Sequence, residues 1–182
     1  MGLLGKLFGP RNQPYVDAGM ALTFKLCRSL SLPGWKEGLP DYTQEEIAAI
    51  DRSLSQFQKI ADDEVSGEAR FHPELLPDLQ RMFAGKALED LASSQWANSD
   101  EVPENWKAIA STYLKAWAAR LEPLTLMGLS DLLAKVGCKD EAKETVKVIL
   151  LVPTYAEKLW GKNKDELFGI VLAQAKEALR TI

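Results

Sequence analysis

Leu124–Pro153, LTLMGLSDLLAKVGCKDEAKETVKVILLVP, reads as one helical hairpin with both ends punctuated. Leu126, Leu129 and Leu133 recur at three- and four-residue spacing, so a helix places them on one face. Gly137 supplies the stop, because glycine enters the left-handed C-cap conformation without steric cost. Asp140-Glu141-Ala142 then opens a second apolar-striped helix with carboxylates near its positive end, and Pro153 closes it. Paired helices of this kind build binding surfaces more readily than active sites.

The same signals extend outward from the hairpin. Upstream, Pro123 ends a helix opened by Pro103, on which Trp106, Ile109, Tyr113 and Trp117 fall within about 80° of one another. Thr43-Gln44-Glu45-Glu46 is a capping box, in which the Thr43 hydroxyl bonds the third helical N–H while Glu46 reaches back. The helix after it carries Ile47, Ile50, Leu54, Phe57 and Ala61 on one side and Asp51, Arg52, Ser55, Gln56 and Lys59 on the other. Pro14 leads a helix to about Leu30, and Pro73 or Pro77 starts another that runs to about Trp96, with Gly85 as a soft point or stop. A last helix covers about Lys164 to Arg180, its apolar side built from Leu167, Ile170, Val171 and Ala178. Ser31–Tyr42, with Pro33, Gly34, Gly38 and Pro40, is a turn-rich connection.

These readings predict an all-α fold: a compact bundle of about six to eight helices with antiparallel neighbours. Residues 13–182 form one helical domain, preceded by a short amphipathic segment, 1–12. The expected core comprises Ile47, Ile50, Leu54, Phe57, Leu79, Phe83, Trp106, Ile109, Tyr113, Leu129, Leu133, Val146 and Ile170.

The hairpin resembles a tetratricopeptide repeat. Leu126, the pair Leu129-Ser130, and Leu133 match the spacing of that family's first helix, Gly137 its turn, Asp140-Glu141-Ala142 the start of its second helix, and Pro153 its closing proline. The interval from Gly137 to Pro153 is one residue short, and Val146 stands where the family tends to place a large aromatic. Trp106, Ile109-Ala110 and Tyr113 resemble the repeat's opening signature again. They begin only twenty residues before Leu126, out of phase with a period of about 34. The resemblance implies a helical-hairpin element that binds proteins rather than transforms substrates.

Composition narrows the function classes. A chain of 182 residues with 46% hydrophobic and 26% charged side chains is an ordinary globular protein. Two cysteines, Cys27 and Cys138, are too few for a disulfide framework. No apolar run approaches the ~18 residues of a membrane span, and Met1–Lys6 lacks a signal peptide's apolar stretch, so a cytoplasmic protein is expected. Leu3, Leu4, Leu7 and Phe8 with Lys6 and Arg11 are too brief for firm contact with a membrane surface.

The net charge of −4 is unevenly spread. Residues 1–40 carry five Lys/Arg against two Asp/Glu, residues 41–104 five against fifteen, and residues 105–182 twelve against nine. The acidic 41–104 span argues against nucleic-acid binding, which needs clustered cations, and suits a basic partner surface or the basic flanks of its own chain.

Chemistry-bearing residues are sparse. His72 is the one histidine, and before Pro73 it marks a helix entrance. Cys138 lies where a helix dipole and Lys139 favour a thiolate, but it has no base besides His72. No phosphate loop, nucleophile elbow, zinc pattern or nucleotide fingerprint occurs, so no cofactor and no catalytic residue is assigned. The chain reads as a non-catalytic protein-interaction module, acting on a protein partner or by self-association. Trp35, Trp96, Trp106, Tyr113 and Trp117 are the candidate contacts, with Trp35 and Trp96 the more exposed. One alternative is a sensor or carrier enclosing a small apolar ligand between helices. Another is a metal-dependent enzyme using the carboxylates of Asp62–Glu68.

Overall fold

The computed structural model describes residues 13–36, 38–65, 76–152 and 164–182. These residues form seven helices and one two-stranded ribbon: α1 (Gln13–Ser29), β1 (Trp35–Lys36), β2 (Leu39–Pro40), α2 (Gln44–Val65), α3 (Leu76–Ser94), α4 (Trp106–Arg120), α5 (Pro123–Lys135), α6 (Lys139–Ile149) and α7 (Lys164–Thr181). The fold is an all-α bundle, and no described helix is long and apolar enough to cross a membrane. The amphipathic segment 1–12, His72 and Pro153 lie outside the described residues.

Packing follows chain order. Each of α2, α3, α4, α5 and α6 packs on the next helix, and α7 covers α6 and α5. The exception is α1, which closes back over α6 and α4. Helix α4 is thereby enclosed, and every residue from Ile109 to Trp117 is buried. Its aromatic stripe is one side of a helix that has no solvent side over that stretch.

The opening and the turn of the hairpin form as their punctuation predicts. Pro123 occupies the first turn of α5, where a missing N–H costs nothing. Gly137 sits at φ +85°. The Cys138 N–H donates to Leu133 O at 2.8 Å and the Gly137 N–H to Ala134 O at 3.1 Å, a paired C-cap that satisfies the last carbonyls of α5. Leu126, Leu129, Leu132, Leu133, Ala142, Val146 and Ile149 are all fully buried between the two helices and their neighbours.

Helix α1 reaches α4 at a glycine. A Cβ on Gly19 would collide with the indole of Trp117. The Trp117 Nε1–H donates to Tyr15 Oη at 2.9 Å, and the Tyr15 hydroxyl donates to Leu121 O at 3.1 Å. The two rings meet edge to face with centroids 6.1 Å apart. Every polar atom of this aromatic pair is therefore satisfied inside the core.

The expected core needs two corrections. Ile47 is 39% exposed because α2 is rotated so that its neighbour Glu46 points inward. Ile170 is 48% exposed because the buried line of α7 runs through Val171 and Ala175. Phe57, Ile109, Tyr113, Leu129, Leu133 and Val146 are buried, whereas Ile50, Leu54, Leu79, Phe83 and Trp106 are half-buried. Gly85 does not stop α3: it is buried mid-helix, where Arg120 of α4 crosses it.

Candidate functional site

An open cleft of about 340 Å³ lies where the N-terminus of α2, the C-terminal part of α3 and the buried face of α4 converge. The turn-rich connection closes its remaining side through Pro33 and Gly34. Its floor is an ion pair: Lys115 Nζ lies 2.8 Å from Glu46 Oε2, with only 2% and 4% of the two side chains exposed.

The pair is fully coordinated. Lys115 also donates to Glu46 Oε1 at 3.0 Å and to the backbone carbonyl of Asp41 at 2.8 Å. The Thr112 hydroxyl donates to Glu46 Oε1 at 2.7 Å. The Thr43 N–H donates to Glu46 Oε2 at 2.7 Å while the Glu46 N–H donates to Thr43 Oγ1 at 3.2 Å, so the capping box forms as read. Burial alone pushes the Glu46 carboxyl up, but the bonds from Lys115, the Thr43 amide and Thr112 outweigh it and hold the group below its ordinary value. A Cβ on Gly34, at φ +79°, would press on Lys115 Nζ and Asp41 O, which only glycine avoids.

The cleft wall beside this floor is held by Trp35. Its Nε1–H donates to Ser111 Oγ at 2.9 Å, and the Ser111 hydroxyl donates to Pro33 O at 2.5 Å. On the other side of Trp35 a second opening of about 280 Å³ lies among Phe24, Cys27, Leu32 and Gly38.

The rim of the larger cleft is amide-rich. Asn105 Nδ2 donates to Gln95 Oε1 at 3.2 Å, which leaves the Gln95 amide donor and the Asn105 carbonyl oxygen for other partners. Gln44 and Glu45 line the mouth from the first turn of α2. Their backbone N–H groups have no acceptor within the helix.

The five aromatic candidates do not converge here. Trp117 and Tyr113 are core residues at 0% and 3% exposure and cannot meet an outside partner. Trp106 is half-buried at the start of α4. Trp35 and Trp96, expected at the surface, are half-buried instead, because internal hydroxyls take their indole N–H groups: Ser111 for Trp35 and Tyr113 for Trp96, at 3.0 Å. Among the five, Trp35 alone adjoins the cleft floor, through Ser111.

The remaining reactive groups are ordinary. Cys138 does not gain a thiolate from its helix: burial and then Glu141 raise its pKa, with Lys107 opposing. Burial pushes the Cys27 thiol up to about 11. Asp62 is exposed and accepts from Gln58 at 2.8 Å, while the side chains of residues 63–68 lie outside the described residues. Among the described residues no three His, Cys, Asp or Glu side chains converge as a metal site would need.

Sequence reasoning missed Lys115 and the larger part of Glu46. The capping box accounts for Glu46 locally and hides its second role. Lys115, two residues from Tyr113 and from Trp117, was legible only as a charge inside an otherwise uncharged run, Ala108–Ala119. Compared with known proteins, the chain matches no family model, no curated protein and no solved structure.

Proposed function

We propose that this chain is a non-catalytic helical interaction module, and that the cleft between α2, α3 and α4 receives a segment of a protein partner. The observation that carries this reading is the division of labour among side chains. Trp117 and Tyr113 are consumed in the core, whereas the cleft between the helix ends is open and rimmed by side-chain amides. Primary amides offer a donor and an acceptor side by side, as a peptide group does, and suit hydrogen bonding to an extended backbone. Lys115 and Glu46 fix the geometry beneath, since their polar atoms are already satisfied by each other. In this reading the tetratricopeptide-like hairpin α5–α6 is the rigid support behind α4, not the contact surface.

The test is a filled cleft. Ala108 is exposed on the cleft wall, so Ala108→Trp occupies the space without touching the core. Gentle lysis of the native cell, with tagged wild type and variant side by side, should recover a partner with the wild type and lose it with Ala108→Trp at unchanged melting temperature. Equal recovery by both proteins contradicts the cleft, and recovery of nothing by either contradicts the module.

The carrier reading retains one observation, the opening beside Phe24, Cys27 and Leu32. It is half open to solvent, not enclosed, and a Cys27→Trp variant that still takes up an apolar dye would remove it.

A further inference from the structure

We infer that the segment received by the cleft carries a lysine or arginine at the position that reaches Glu45. This rests on the reading above and names the partner's chemistry. Three charged side chains line the cleft: Glu45, Glu46 and Lys115. Lys115 and Glu46 neutralise each other on the floor, and every acceptor position of Glu46 near Lys115 is in use. Glu45 is exposed at the mouth, and none of the ion pairs among the described residues includes it. The residual charge of the lining is thus one carboxylate.

The opposing effect is the amino end of α2, whose free N–H groups favour anions. That preference is already answered at this helix. Glu46 closes the capping box, and Glu45 adds a second carboxylate in the first turn. An incoming anion would meet Glu45 with no cation left to receive it. Glu104 stands exposed beside Asn105, and the span 41–104, which supplies six of the thirteen lining residues, carries fifteen acidic residues against five basic ones. Charge complementarity therefore selects a cationic side chain over a neutral or acidic one.

The experiment is an NMR titration of the full chain with four acetylated, amidated pentapeptides, Gly-Ser-X-Ser-Gly, with X arginine, lysine, glutamine or glutamate. The arginine and lysine peptides should shift the amide resonances of Gln44, Glu45, Gln95 and Asn105, about threefold to tenfold more tightly than the glutamine peptide. The glutamate peptide should be weakest. Glu45→Gln should bring the arginine and glutamine peptides to the same affinity and remove the salt dependence, without altering the Lys115–Glu46 pair. If all four peptides shift the cleft alike, or the glutamate peptide binds best, the charge inference fails and the cleft reading stands. If none of the four shifts a cleft resonance at millimolar concentration, both fail.

Discussion

At the scale of single residues, Glu46 and Lys115 are a buried ion pair in which each charge depends on the other. Removing one partner leaves a buried charge without its counterion, so Lys115→Ala and Glu46→Gln should each cost about 3–5 kcal/mol in urea unfolding. Replacing both, as Lys115→Met with Glu46→Leu, should cost less than the two single changes added together, because no charge is stranded. The pair also fixes a pH dependence. The folded-state pKa of Glu46 lies below its ordinary value of 4.5, so its contribution is present above that value and is lost as pH falls through the folded pKa. Acid unfolding should therefore steepen below about pH 4.5, and Glu46→Gln should flatten that limb. Cys27 works in the opposite direction. With its pKa near 11 rather than 9, it should react with a thiol reagent at pH 8 roughly a hundredfold more slowly than an unfolded-chain cysteine. A rate within threefold of the denatured chain would contradict that burial. Neither residue announces this in the sequence, since a lone lysine in an apolar helix and a capping glutamate each have a sufficient local explanation, and their partnership spans 69 positions.

Element ends were the most legible feature. Capping and turn chemistry act over four or five residues, which a sequence displays directly. The Thr43–Glu46 box, Pro123 at the start of α5 and Gly137 after it all form as local rules require. Rotations about helix axes were less legible. Ile47 and Ile170 flank the true buried lines of α2 and α7 because helix–helix packing, absent from any local window, chooses among neighbouring apolar stripes. Two ends of this fold provide a matched backbone test. Ser31 sits at φ 51° beyond α1, and the Leu32 N–H donates to Cys27 O at 3.1 Å, the same bond pattern that glycine makes after α5. Ser31→Gly should raise the urea midpoint by an amount equivalent to about 0.5–1 kcal/mol. Gly137→Ala should lower it by about 1 kcal/mol through backbone strain alone, since nothing lies within 4 Å of the added Cβ. Unchanged midpoints in both would mean that the loops relax freely out of the left-handed conformation.

For the whole molecule, the charge pattern written along the chain becomes a pattern in space. Among the described residues three ion pairs tie the acidic span 41–104 to its basic flanks, Lys36 to Asp41 at 3.0 Å, Lys115 to Glu46, and Arg120 to Glu89 at 2.5 Å. Part of the acidic excess is thus answered within the chain, and Glu45, outside these pairs, is exposed at the cleft. The class of fold was legible because helical periodicity recurs over most of the chain. The cleft was not, because its walls come from residues 33–46 and 91–115, which only tertiary packing brings together. The central claim, that this cleft is where a protein partner engages, is tested most directly by site-specific photo-crosslinking in the native cell. The photoreactive residue is placed at Gln44 on the cleft mouth or, as reference, at Lys86 on the exposed side of α3. A single partner band that appears from Gln44, is absent from Lys86 and disappears when Ala108→Trp fills the cleft is the predicted result; equal labelling from both positions, or none from Gln44, contradicts it.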